Sequence, residues 1–409
     1  MTSRTHRYGF VLLVFTYLVI SCEGKKDQKT TDSGSYQQQV DTIRVVDIRR
    51  RLNASEALGD YKSVFLKTDS LLIGKISKLL VADSKIFIAD KSRDRVFVFD
   101  MEGDMLFHIN RFGNGPEEYA NMKDVGVNLD EGVIEILDGA SRKVVQYDIY
   151  SGKFVGSKSY DFWPRLFSPL SGGSRLFYIG HANQEPFKPD SVQAEVYITD
   201  SLNRIVKVDL PHKASGLSKI YLMTRQNIYQ RGEGGVLLVP MYNNHIYGVE
   251  NDRLKLQYYL DFGEKAIPRD FVLNFNRNPN DFGKYFDDSG YASYIYDFFE
   301  SSGHVTFRFM AEGGHYRVIH DRSTGMAIAY RFWSNDEYRL NIQPIGVSGD
   351  YHLSKVPFES LKDRKGFYDL NVPRDSLGNY PEYQFLKEMV EHNESENPVL
   401  IFSKFKRIE

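Results

Sequence analysis

The feature that most constrains this chain is an internal repeat. Ile86-Phe-Ile-Ala-Asp90, four loop residues and Arg95-Val-Phe-Val-Phe-Asp100 line up without a gap on Ile134-Glu-Ile-Leu-Asp138 and Lys143-Val-Val-Gln-Tyr-Asp148, every position shifted by 48. Both copies then turn at a glycine, Gly103 and Gly152. Fainter copies follow at Val196 to Asp200, Ile246 to Glu250, Tyr316 to Asp321 with Gly325, and Val399 to Phe402. A period near this length, with two strands and a hairpin turn in each copy, is that of small antiparallel sheets stacked side by side as blades. Val96, Phe97, Val98 and Phe99 are apolar consecutively rather than alternately, so each sheet should be covered on both faces by its neighbours. A two-layer β-sandwich also yields short strands and turns, but it has no reason to repeat at a fixed offset.

Composition agrees with this reading. Aromatic residues make up 14% of the chain, with 28 Phe and 27 Tyr, which suits pleated surfaces better than helical ones. Two stretches read as insertions, residues 263–290 and 359–396, and the second should hold a helix, with Tyr383, Leu386, Met389 and Val390 at helical spacing after Pro381. Setting both aside leaves about 50 residues per blade for six blades, or about 43 for seven. The expected fold is all-β, a six-bladed propeller with a small helical insertion in the last blade, a seven-bladed ring being the alternative. Ser63 to Leu66 precedes the first recognised blade and should supply the outer strand of the last, closing the ring.

The N-terminus reads as an address. Arg4, His6 and Arg7 precede an apolar run from Tyr8 to Ile20, shorter than the roughly 20 residues a spanning helix needs. The run ends Val19-Ile20-Ser21-Cys22, which resembles a bacterial lipobox, and Cys22 is the single cysteine of the chain. We therefore expect residues 1–21 to be a lipoprotein signal peptide, Cys22 the lipidated residue, 22–39 a flexible polar tether and 40–409 the propeller. Glu23, rather than Asp, follows the cysteine, which favours outer-membrane placement without deciding which face of that membrane the body occupies.

Further residues carry a resemblance. Lys67-Thr68-Asp69, Leu72-Ile-Gly74, Arg111-Phe-Gly-Asn-Gly-Pro-Glu-Glu-Tyr119 and Asn397-Pro-Val-Leu-Ile-Phe402, taken with the repeat, resemble the six-bladed β-propeller lipoproteins of Bacteroidota, relatives of NHL-repeat propellers. The resemblance spans about Val40 to Arg407 and implies an architecture and a cell-envelope address more than a reaction.

In a propeller the bends between the second and third strands and the crossings between blades share one face of the disc. On it we place Asp90 to Arg95, Arg111 to Tyr119, Asp138 to Lys143, Asp161 to Arg165, Tyr242 to His245, Phe332 to Asp336 and both insertions. The candidate ligand-binding residues are Arg93, Arg95, Arg111, Asn114, Tyr119, Arg142, Trp163, Tyr242 and Trp333, aromatic platforms beside donors that suit a sugar or a peptide. The same arginines could equally pair with neighbouring aspartates at the surface, and Trp163 and Trp333 could simply pack blade junctions. Gly113 and Gly115 read as turn glycines of positive φ. There is no H-E-x-x-H, G-x-S-x-G, Walker or EF-hand sequence, so no catalytic residue, metal or cofactor is assigned. A net charge of −2 with interspersed signs argues against nucleic acid as a partner. The expected function is that of a lipid-anchored, non-catalytic envelope protein with a monomeric body that binds a glycan or protein. A polysaccharide hydrolase or lyase with its site in the channel, and a structural subunit of an outer-membrane complex, are the alternatives.

Overall fold

In the computed structural model, residues 40–46, 48–180, 193–212, 226–232, 234–268, 271, 278, 281–334 and 343–409 are described. The chain divides into two units, Met1–Gln39 and Val40–Glu409; the expected signal peptide, Cys22 and the tether all fall in the first and lie outside the described residues.

The second unit opens with β1 (Asp41–Arg44), β2 (Ile48–Asn53), a one-turn helix α1 (Ala54–Ala57) and β3 (Leu58–Phe65). Six sheets follow in sequence order. Blade 1 is β4 to β7 (Lys78–Ala82, Lys85–Asp90, Arg95–Phe99, Met105–Ile109), and blade 2 is β8 to β11 (Met122–Asn128, Val133–Asp138, Lys143–Asp148, Phe154–Ser159). Blade 3 is β12 to β15 (Leu166–Pro169, Arg175–Tyr178, Gln193–Thr199, Ile205–His212), and blade 4 is β16 to β19 (Ile228–Gln230, Val236–Leu238, His245–Glu250, Arg253–Asp261). Helix α2 (Phe282–Ser289) lies in the crossing to blade 5, which is β20 to β23 (Ser293–Glu300, His304–Ala311, Gly314–Asp321, Ala327–Ser334). Blade 6 is β24 (Pro344–Ser348), β25 (Tyr351–Val356) and β26 (Val399–Phe405), completed by β3 as its outer strand. Helices α3 (Phe358–Asn371) and α4 (Pro381–Glu391) fill the bend between β25 and β26.

The innermost strands β4, β8, β12, β16, β20 and β24 each contact the next, and β24 returns to β4, so the ring is closed with six blades. Closure is antiparallel, with Leu400 opposite Val64 and Phe402 opposite Lys62. The seven-bladed alternative is excluded. The third strands of all six blades are the repeats read from sequence, and α4 begins at Pro381 as expected. The burial pattern explains the consecutive apolar residues: β6 and β9 are buried on both faces, whereas the outer strand β11 alternates with solvent. Interior strands of this kind carry roughly 1.5–3 kcal/mol per fully buried large apolar side chain.

Aspartates fix the joints. Asp90 and Asp138, the last residues of equivalent strands, are fully buried, and each accepts amides from its own bend and from the strand arriving from the preceding blade. Asp100, Asp148, Asp200 and Asp321 each cap the next hairpin turn by accepting backbone N–H groups two to four residues on. The 48-residue repeat is thus a repeat of side chains that hold loops.

Candidate functional site

The nine residues chosen from sequence separate into two groups. Arg93, Arg111, Asn114, Arg142 and Trp163 are exposed on the face that carries the crossings. Within this group Arg142 lies over the Trp163 ring at 5.3 Å, and Trp163 is 44% exposed. Arg93 turns back to donate to the Leu72 carbonyl at 2.8 Å. Phe112, 61% exposed in the same crossing as Asn114, belongs with this surface and was missed because a lone Phe between Arg and Gly carries no pattern.

The other four serve the fold. Tyr119 is fully buried, and its hydroxyl donates to the Asp94 carbonyl at 2.6 Å; burial pushes it up to about 12. Arg95 is partly buried at the start of β6. Tyr242 packs edge-on against Phe282 and also contacts Phe286 of α2. Trp333 does not lie in a crossing. It is the penultimate residue of β23, opposite Leu52 of β2, and packs on Tyr330. The pairing with β2 prolongs β23 and takes the tryptophan into the junction of blades 5 and 6. Gly113 and Gly115 also differ from expectation, since neither has positive φ. A Cβ on Gly113 would sit 2.0 Å from Glu118 Oε2, the oxygen that accepts the Gly115 amide at 2.8 Å, so glycine is required there for close approach of a carboxylate.

The inner strands of the ring leave an open space between them. A chamber of about 520 Å³ is walled by the inner strands of blades 1 to 4 and reaches exposed hairpin turns at Leu129-Asp130, Ser171-Gly172, Gly234-Gly235 and Asn251-Asp252. These turns join first to second and third to fourth strands, so the chamber opens on the face opposite the crossings. Its walls are apolar where Leu80, Ala82, Val127, Pro169, Ile228 and Val236 point inward. Two of the lining residues each keep an unpartnered polar atom buried in the wall. Asn128 is 3% exposed, and its Oδ1 accepts the Glu131 amide while its Nδ2 is buried without a partner. Gln230 donates from Nε2 to the Val81 carbonyl, and its Oε1 is buried without a partner. One donor in blade 2 and one acceptor in blade 4 are thus left unused beside the same space. At the rim Asp130 accepts the Gly172 amide and Asp252 accepts the Ser174 hydroxyl, so both carboxylates hold turns. Deeper in, Lys78 pairs with the buried Asp124 at 3.0 Å.

Among the described residues no group of three or more His, Cys, Asp or Glu is placed to hold a metal ion. Burial raises Glu195 to about 7, beside the Tyr178 hydroxyl at 3.2 Å. Both side chains are buried in the interior of blade 3.

A closed ring of six sheets around an axial chamber defines a six-bladed β-propeller. The family described as DUF5128, 6-bladed beta-propeller, matches residues 32–354, and the chain belongs to it. A crystal structure of a protein from Bacteroides fragilis, described as exported, superposes with a TM-score of 0.71 at 22% identity, covering 90% of this chain and 100% of that one. A member of the DUF4221 family from Bacteroides vulgatus gives a TM-score of 0.45 at 9% identity, covering 85% of this chain and 97% of the other. No curated protein matches. Among the described residues no helix is long and apolar enough to cross a membrane.

Proposed function

We propose that this chain is an exported, lipid-anchored binding protein of the cell envelope, and that its ligand is a saccharide-sized, hydroxyl-bearing molecule held in the axial chamber. The observation that carries this reading is the pair of buried, unpartnered amide atoms, Asn128 Nδ2 and Gln230 Oε1, in a chamber whose volume suits a small ligand. An unmade hydrogen bond in a buried site costs free energy, and ligand hydroxyls would satisfy these atoms once the two amide side chains turn toward the chamber, while the carbon skeleton covers the apolar walls. The envelope address rests on the lipobox-like Val19 to Cys22 and is supported by the exported relative.

The test is a glycan array followed by calorimetric titration of the best binder with the wild-type protein and with Asn128→Asp. That substitution keeps the acceptor that holds Glu131 and removes the unused donor. At least a tenfold loss of affinity is expected; the buried carboxylate also lowers the melting temperature, so titration is run well below the melting point of both proteins. Equal affinity in the variant, or no saccharide bound by the wild type, overturns the chamber assignment. Membrane fractionation of Cys22→Ser tests the anchor separately: the variant should move to the soluble fraction.

A further inference from the structure

The crossing from blade 1 to blade 2 holds the one asparagine of the chain that is followed directly by glycine, Asn114-Gly115. Asn114 is exposed, and among the described residues its side chain makes no hydrogen bond, so its amide can turn onto its own backbone. The Gly115 nitrogen and Asn114 Cγ are the two ends of a five-membered ring that rotation alone brings together, and glycine puts no Cβ in the way.

The fold adds a base to this pair. Glu118 lies back over the turn, and its Oε2 accepts the Gly115 N–H at 2.8 Å, within the reach over which a carboxylate takes a proton from the group it holds. The approach is close enough that a Cβ on Gly115 would lie 3.0 Å from the same oxygen. The turn is braced from both sides. The Glu118 amide donates to the Gly115 carbonyl at 3.2 Å, the Gly113 amide to the Tyr119 carbonyl at 3.1 Å and the Tyr119 amide to the Arg111 carbonyl at 3.0 Å. Lys143 adds a bond to the Gly115 carbonyl at 3.0 Å. Nucleophile, electrophile and base thus sit side by side on an exposed but fixed loop.

We propose that Asn114 is a self-modification site, deamidated by attack of the adjoining backbone nitrogen with Glu118 as the base. The Gly115 nitrogen passes its proton to Glu118 and bonds to Asn114 Cγ. The Cγ–Nδ2 bond then breaks, and ammonia leaves with the proton that Glu118 returns. Water opens the resulting succinimide at one carbonyl or the other, giving aspartate or isoaspartate. One water is consumed and one ammonia released, with no oxidant, reductant or cofactor. Either product adds a carboxylate beside Glu117 and Glu118 on the face that carries Arg111, Arg142 and Trp163, and isoaspartate lengthens the backbone inside the braced turn. The site is independent of the chamber reading.

The full chain is incubated near neutral pH in ¹⁸O-water and digested with trypsin in ordinary water, and the peptide Phe112–Lys123 is sequenced by fragmentation mass spectrometry. We expect ¹⁸O at residue 114, with Asn121, exposed in the same peptide but followed by Met, unmodified. Glu118→Gln keeps an acceptor for the Gly115 amide and removes the base, so the folded variant should react at least tenfold more slowly. In urea, where the turn no longer holds Glu118 in place, the two proteins should react at the same rate, which separates the placed carboxylate from the Asn-Gly pair alone. No label at residue 114 in the folded protein, an equal or faster rate in folded Glu118→Gln, or a rate difference that persists in urea overturns the proposal. Should Glu118→Gln fail to fold, Glu118→Asp draws the carboxylate back from the amide while keeping the charge; its rate should fall likewise, and an unchanged rate removes Glu118 as the base.

Discussion

Blades 1 to 3 and blades 4 to 6 are built from the same unit and secured differently. In the first half of the ring every blade is a four-stranded sheet with an open outer strand, and the outer strand of blade 3 leaves Ile205, Val206 and Val208 exposed. In the second half the N-terminal segment passes along the rim, adding β1 in parallel to β19 and β2 in parallel to β23 before β3 completes blade 6. Helices α3 and α4 then pack over Ala54, Leu58 and Val399. Blades 1 to 3 carry no added strand and join through apolar clusters, into which one wholly buried arginine is set: Arg175 of blade 3, bonded through Nε to Glu135 of blade 2 at 2.9 Å. The half with least external support thus supplies most of the chamber wall, and closure is concentrated in the half that supplies the smaller share of it.

The strongest challenge to this contrast is Arg175→Ala. It leaves Glu135 charged and buried, and should cost about 3–5 kcal/mol. Urea unfolding gives the value, and a loss below about 1 kcal/mol would mean that apolar packing alone joins blades 2 and 3. In the strapped half, Leu52→Ala empties a fully buried site on β2 and should cost about 2–4 kcal/mol. Hydrogen exchange should then quicken in β23 and leave β7, β11 and β15 unaltered; uniform quickening would show that the straps do not act locally.

Acidity distinguishes the halves with opposite signs. His352 in blade 6 is fully buried, and burial, with His304 nearby, lowers it to about 3. Its unfolded value is higher, so the unfolded chain takes up the proton first, and stability falls as pH drops below about 6.5 toward 3. Between pH 7 and 5 this amounts to about 2 kcal/mol, which His352→Leu should remove. Glu195 in blade 3 is shifted the other way, to about 7. There the unfolded carboxyl ionises first, so stability falls as pH rises from about 4.5 through 7, by about 3 kcal/mol. Melting curves of Glu195→Gln should lose that slope, and a slope of unchanged size in either variant would assign the pH dependence to other groups.

Blades 1 and 2 were legible because their second and third strands are buried on both faces, which writes an apolar run and a terminal aspartate into each copy. First strands were harder to read. In blades 3 and 4 they span Leu166–Pro169 and Ile228–Gln230, too short to display a period. Asn128 and Gln230 sit on such strands, and only ring closure tells which way they face. The chamber was therefore not legible. The straps were hidden by composition: Ile48-Arg-Arg-Arg-Leu-Asn53 is too charged to read as strand until a partner far along the chain pairs with it. The placement of Trp333 failed for the same reason.

The parallel pairing of β1 with β19 and of β2 with β23 also sets how the propeller would bear load. Tension applied ahead of Asp41 runs along the strand direction, so the backbone bonds of each ladder are strained together in shear rather than one after another. Two such ladders in series stand between the pulling point and β3. The closing seam is thereby insulated from mechanical force, and rupture would begin at the outermost clasp while the disc itself stayed whole.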